Sequence, residues 1–266
     1  MPEYTLSGIH IYPVKSCAGL ELESVFLDRF GPSGDRRWML VDNAGRFLSQ
    51  RQLPRMALIE VELQPGGGLR LALGDDRCPV SQPGDNAPSA EVVVWGDTVP
   101  AKDAGDAVAA WLSSVLACPC RLVFMPSCTR RRVDRQYAQH NETVGFADGF
   151  PLLLISQGSL SALNERLPRP VPMNRFRPNL VVTGCEPFAE DGWNRVRIGA
   201  VEMEVAKPCS RCVIPSIDQA TAQRDRTISR ALAQFRRVNG QVLFGQNLLY
   251  TDCAELKRGD QVEVLA

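Results

Sequence analysis

The chain has 266 residues, 44% of them hydrophobic and 23% charged, with 30 basic and 30 acidic side chains. That length accommodates one large domain or two smaller ones. A net charge of zero excludes the broad basic surface that nucleic acid or acidic membranes select.

Residues 1–4 lack the basic and apolar regions of a signal peptide, and no apolar run approaches the roughly 20 residues that span a bilayer. A soluble, reducing, cytoplasmic setting is therefore expected. In chain order, the first third reads as β. Short runs at 7–12, 24–27, 37–41, 57–63, 69–73 and 91–94 are predicted strands, separated by Gly and Pro clusters. The proline-bearing stretch 79–89 is a predicted loop. Apolar Val108, Trp111, Leu112 and Val115 recur at helical spacing and predict a helix over 103–116, capped by Asp103 or Asp106. Further helices are expected at 159–167 and 227–235. Strand patterns return at 121–124, 152–155, 179–182, 196–198, 202–206, 242–249 and 261–265. The arginine-rich stretch 129–137 is an expected exposed loop. Together these predict a mainly β, α+β architecture: an N-terminal β-barrel-like domain over 1–100 and a larger β-barrel domain over 101–266.

The densest chemistry lies in Cys209-Ser210-Arg211-Cys212, directly after a strand pattern. A thiolate is a soft ligand and a nucleophile. A redox dithiol normally uses a helix N-terminus, but β-branched and proline-bearing residues follow this motif. A zinc site would need Cys118 and Cys120 as the second pair, and Cys-x-Cys is a tight knuckle. Core packing is the commonest fate of a cysteine. The chain holds nine cysteines, an odd count without a secreted framework spacing. The fourth reading, a thiolate ligand to a heavier metal, needs cationic partners. Lys15 and Ser16 stand at one strand end, and Arg36 and Arg37 at the start of another. Arg175, Arg177 and Asn179 alternate as the chain enters a third, so they are expected on one side. These groups suit a phosphate and a heterocycle. Each also has a plain reading as a solvated strand end or a surface ion pair.

Taken in order, Tyr12-Pro13-Val14-Lys15-Ser16-Cys17, Asp148-Gly149-Phe150-Pro151, Asn174-Arg175-Phe176-Arg177-Pro178-Asn179, Cys209-Ser210-Arg211-Cys212, Phe244-Gly245-Gln246-Asn247 and Gly259-Asp260-Gln261-Val262 resemble a known family. Its members carry an N-terminal MOSC β-barrel domain followed by a MOSC domain. They include the mitochondrial amidoxime-reducing component and bacterial enzymes that detoxify N-hydroxylated bases. The resemblance implies a molybdenum cofactor, a molybdopterin whose dithiolene holds the metal, with Cys212 as protein ligand and Cys209 as neighbour. It places Ser210 and Arg211 against the cofactor. Lys15, Ser16, Arg177 and Asn179 match positions that bind the pterin or its phosphate, with Arg36, Arg37 and Arg175 nearby. Asn247 stands where some relatives carry an aromatic residue. Asp148 matches a carboxylate close to the metal, suited to relaying a proton to a leaving oxygen; a turn residue before Gly149 is the plain reading.

The implied reaction is reduction of N-hydroxylated bases and amidoximes by oxygen abstraction at molybdenum. The alternative is a cofactor or sulfur carrier without turnover, in which a thiol holds persulfide. A β-barrel module with structural zinc, or with no metal, is the third reading. No Cys-x4-Cys-x2-Cys run is present, so electrons are expected from a separate iron–sulfur or flavin reductase.

Overall fold

The computed structural model describes residues 3–138 and 140–266. Strands dominate, with three α-helices at Asp106–Leu116, Gln157–Asn164 and Thr227–Phe235. Seven strands close into a barrel. In spatial order they are Leu152–Ser156, Leu180–Thr183, Tyr4–Ile11, Gln261–Val264, Arg195–Ile198, Val201–Ser210 and Gln241–Tyr250, and the last pairs back onto the first. Closure removes the free sheet edges. Its interior is filled by alternate side chains such as Leu6, Leu154, Leu180, Val196, Met203 and Leu248, all buried.

The barrel takes one strand from far away in sequence. Tyr4–Ile11 pairs antiparallel with Leu180–Thr183 on one side and Gln261–Val264 on the other. After Lys15 the chain first pairs back, Leu20–Leu22 onto Tyr4–Ile11 and Ser24–Asp28 onto Glu255–Lys257, and then builds a second β layer. A four-stranded sheet runs Trp38–Val41, Arg121–Phe124, Asp97–Asp103, Ser89–Val94, and a three-stranded meander comprises Glu60–Leu63, Leu69–Leu73 and Asp76–Val80. The helix Asp106–Leu116 covers them, burying Val108 and Leu112 among Leu40, Leu71 and Leu122.

Several elements differ from the sequence expectation. Residues 103–105 are not helical: Asp103 ends a strand, and its carboxylate accepts the Gly105 N–H at 2.7 Å. The helix starts at Asp106 with no side-chain cap. The expected loop 79–89 begins inside a strand, Asp76–Val80, whose Pro79 lies on an outer strand of its meander. Residues 57–58 fall in a 3-10 turn, Pro54–Leu58, set by the proline at its start.

Candidate functional site

One end of the barrel opens into a cleft lined by residues from both β layers, including Lys15, Ser16, Arg36, Asp148, Arg177, Asn179, Ser210, Arg211, Cys212 and Asn247. The fold gathers most of them because they sit at or beside strand termini, while Asn247 lies within the strand Gln241–Tyr250. Lys15 and Ser16 follow Tyr4–Ile11, and Arg36 precedes Trp38–Val41. Arg177 and Asn179 precede Leu180–Thr183, and Arg211 and Cys212 follow Val201–Ser210. A larger cavity of about 530 Å³ lies by Arg130, Arg132 and His140. It gathers no residue of the Lys15, Arg177 or Cys212 segments; the smaller cleft, about 120 Å³, gathers all three.

Backbone bonds lace the cleft wall. Lys15 N–H donates to Trp38 O at 2.8 Å, Arg36 N–H to Tyr12 O at 2.9 Å and Phe146 N–H to Arg36 O at 2.7 Å. Gly145 permits this approach, since a Cβ there would stand 2.9 Å from Arg36 O. Ser16, Arg36 and Arg177 all hold positive φ, at 70°, 44° and 56°. Such conformations cost about 1–3 kcal/mol each and persist where surrounding structure imposes them, often at functional sites.

Electrostatically the cleft is cationic, with one carboxylate at its mouth. Lys15 is buried, and its Nζ donates to Phe146 O at 2.8 Å and to Asp148 Oδ1 at 2.5 Å. Burial lowers the Lys15 pKa, and the Asp148 charge only partly opposes this. Crowding by protein disfavours the ionised form of Asp148. The Lys15 ammonium, assisted by Arg51 and Arg36, outweighs it and holds the carboxyl well below the usual range. The Asp148 side chain remains 59% exposed, so its charge faces the open mouth. Tyr12 lies between two guanidiniums, with Arg177 at 4.1 Å and Arg36 at 4.4 Å from its ring centre. Burial pushes its phenol up to about 12, keeping it a neutral donor to Pro178 O at 3.1 Å.

Arg36 pairs with Asp35 at 2.6 Å and donates to Asn179 Oδ1 at 3.0 Å. Arg177 differs. It is buried, its Nη1 donates to Gln219 Oε1 at 3.2 Å, and its Nη2 has no partner among the described residues. Burial lowers its pKa to about 10. Arg211 donates from Nη2 to Phe176 O at 2.7 Å and from Nη1 to the Cys209 sulfur at 3.2 Å; its Nε is also unpartnered. Unpaired buried donors are costly, and two of them on one cleft fit an acceptor-rich anionic group such as a phosphate-bearing pterin. The Cys212 thiol is exposed and accepts the Ile214 N–H at 3.4 Å, a free soft donor beside those cations. The donor set therefore fits the cofactor that the resemblance implies.

Two expected site residues do not line the cleft. Arg37, just before the strand Trp38–Val41, is not among the cleft-lining residues. Its Nη2 donates to Met125 O at 2.5 Å, and its guanidinium lies over Phe30 at 4.2 Å. Arg175 sits in a 3-10 turn, Met173–Arg175, not an extended run, so the expected alternation with Arg177 and Asn179 is broken. It binds Pro215 O at 2.9 Å and Asp218 at 2.8 Å, tethering the segment after Cys212. Cys118 and Cys120 pack in the N-terminal core. No group of three His, Cys, Asp or Glu among the described residues is placed to hold a metal.

Residues not singled out from sequence also shape the site. Gln50 and Gln219 bond reciprocally at 3.0 Å across the two layers, and Gln50 donates to Ser16 O at 2.8 Å. Arg131, within the expected exposed loop, is buried. It donates to Gly145 O at 2.8 Å and Ala147 O at 2.5 Å, fixing the backbone that carries Asp148. Tyr12 adjoins the Lys15 motif and was legible as a neighbour; Gln50, Gln219 and Arg131 carry no local signal.

Fold and site thus define a two-layered β protein with an anion-seeking, thiol-bearing cleft at the end of a closed barrel. A profile of the MOSC N-terminal beta barrel domain matches residues 3–119, and one of the MOSC domain matches residues 141–263. The chain is 36% identical over 233 residues to mitochondrial amidoxime-reducing component 1 of Mus musculus, covering 84% of this chain and 68% of that one. Against the Homo sapiens protein of the same name it is 33% identical over 281 residues, covering 98% and 83%. Molybdenum cofactor sulfurase of Oryza sativa subsp. japonica is 33% identical over 279 residues, covering 94% of this chain and 33% of that one. The chain belongs to the family of proteins that join a MOSC N-terminal beta barrel domain to a MOSC domain. No helix among the described residues is long and apolar enough to cross a membrane.

Proposed function

We propose that the protein is a cytoplasmic, molybdenum-cofactor-dependent oxidoreductase that reduces N-hydroxylated bases and amidoximes, drawing electrons from a separate donor protein. The observation that carries this reading is the pair of unpartnered guanidinium donors, Arg177 Nη2 and Arg211 Nε, beside the exposed Cys212 thiol. Similarity to proteins named amidoxime-reducing components supports it. The division of labour between residues 1–100 and 101–266 is part of the proposal: one supplies Lys15, Ser16 and Arg36, the other the thiol motif.

In this reading Cys212 ligates the metal, and Arg177, Arg211, Ser16, Asn179 and Ser210 hold the organic part. Asn247 lines the cleft from the strand Gln241–Tyr250. The bound cofactor would supply the two-electron oxygen-abstracting chemistry. Asp148 is ionised, so the proton for the leaving oxygen would come from Lys15 Nζ, which Asp148 holds by a hydrogen bond. Asp148 orients Lys15 Nζ through that hydrogen bond and attracts the N–H groups of an amidine-like substrate. Burial eases Lys15 toward its neutral form, which makes it a stronger acid than a surface lysine.

Turnover of an N-hydroxylated base with a chemical reductant tests the proposal, using protein from a host that makes the cofactor. Wild type is expected to turn over, and Cys212→Ser is expected to lose at least about a hundredfold in kcat. Near-full activity in the variant contradicts the ligand role.

Similarity to a protein named molybdenum cofactor sulfurase favours a second reading, a cofactor or sulfur carrier. It keeps Cys212 but predicts persulfide transfer without substrate reduction.

A further inference from the structure

A hairpin turn at Trp95 and Gly96, between Ser89–Val94 and Asp97–Asp103, sets an indole against Asp148, just outside the residues that line the cleft. Trp95 holds φ +56°, a region that a bulky side chain rarely occupies. It is also 44% exposed, one of few large apolar groups left open to solvent among the described residues. Yet the ring is fixed. Its Nε1–H donates to Asp148 Oδ1 at 3.2 Å. The Phe47 ring stands 5.1 Å away, and the Arg51 guanidinium lies 4.5 Å from the indole centre. Arg51 also reaches Asp148 Oδ2 at 3.8 Å. A strained, exposed aromatic that is nevertheless held in one pose suits a surface that receives a ligand.

We propose that Trp95, backed by Phe47 and Arg51, is the specificity wall of the site: it stacks the planar, conjugated base of the substrate beside Asp148. This rests on the reductase reading and deepens it by assigning a specificity-determining residue: Trp95 favours flat, conjugated substrates over flexible aliphatic hydroxylamines. A stacked ring gains dispersion and π contact with the indole whatever its substituents, as bases do on aromatic platforms. Lys15, Arg51 and Trp95 hold the Asp148 carboxylate in a fixed place. There it can accept an N–H from a ring-bound amino or amidine group, an interaction that a tertiary aliphatic hydroxylamine cannot offer.

The experiment compares wild type, Trp95→Ala and Trp95→Phe, each checked for unchanged thermal midpoint. KM is measured for an N-hydroxylated purine or pyrimidine base and for a dialkylhydroxylamine. The non-hydroxylated parent base is titrated calorimetrically into the protein as purified. The wall predicts that Trp95→Ala shifts the planar-to-aliphatic KM ratio about tenfold. It also predicts that the variant weakens parent-base binding about tenfold, with Trp95→Phe recovering most of both. An unshifted ratio, or parent-base binding equal to wild type in Trp95→Ala, overturns it. If wild type reduces neither compound the reductase reading fails by itself, and the titration still decides for or against the wall.

Discussion

Arg177 carries a charge that burial penalises and that no carboxylate within ion-pair reach offsets among the described residues. Such a group destabilises the empty protein and awaits an anion. Arg177→Met is therefore expected to leave the cofactor-free thermal midpoint unchanged or raised, while lowering cofactor affinity at least about tenfold. A lower midpoint with full cofactor retention would show instead that the guanidinium is a structural strut. The Lys15–Asp148 pair makes a second prediction. Burial lowers the Lys15 pKa from its ordinary 10.5, so its proton is lost at lower pH than from a surface lysine. If Lys15 is the acid, kcat/KM falls on the alkaline side before that ordinary value, and Lys15→Arg moves the fall upward or removes it. Asp148, held below the usual carboxylate range, should add no acid limb between about pH 4 and 7. An alkaline limb insensitive to Lys15→Arg would contradict the assignment.

At the scale of elements, the cleft depends on strand ends being placed to within a turn. The Gln241–Tyr250 strand shows how tightly. Gly245 holds φ +81°, and a Cβ there would stand 2.6 Å from Ile155 Cγ1 and 2.8 Å from Leu154 O. Both the backbone and the space demand glycine. Gly245→Ala is expected to cost about 2 kcal/mol in urea unfolding; a change near zero would mean the strand can shift freely. The regular strands and helices were readable from alternation and helical spacing. Leu69–Leu73, Arg121–Phe124 and Thr227–Phe235 lie where the pattern predicts. What was not readable is where the chain turns by tertiary demand. The 3-10 turn at Met173–Arg175 diverts Arg175 from the cleft, and the left-handed Arg177 directs its side chain inward. Propensity carries no trace of either, because surrounding contacts impose them.

For the whole molecule, the strand Tyr4–Ile11 completes a barrel whose other six strands begin at Leu152. A fragment starting at Asp103 would lack it and expose both neighbouring edges. Such a fragment is expected to aggregate or stay unfolded, and the full chain to unfold in one transition, as followed by circular dichroism and calorimetry. A stably folded fragment would show that the barrel closes without that strand. The mainly β architecture was legible because short strands and Gly-Pro punctuation recur along the chain. The convergence of Lys15, Arg36, Arg177 and Cys212 was legible only through the resemblance. Spacing along the sequence holds no distance between segments more than a hundred residues apart, and side-chain bridges such as Gln50–Gln219 leave no periodic mark. In the proposed function the cleft binds molybdenum through Cys212. The most direct measurement is the molybdenum-to-protein ratio, by plasma mass spectrometry, of wild type, Cys212→Ser and Cys209→Ser from a cofactor-producing host. Near-stoichiometric metal in wild type and Cys209→Ser, with little in Cys212→Ser, is the predicted result. Equal molybdenum in all three, or none in wild type, would contradict it.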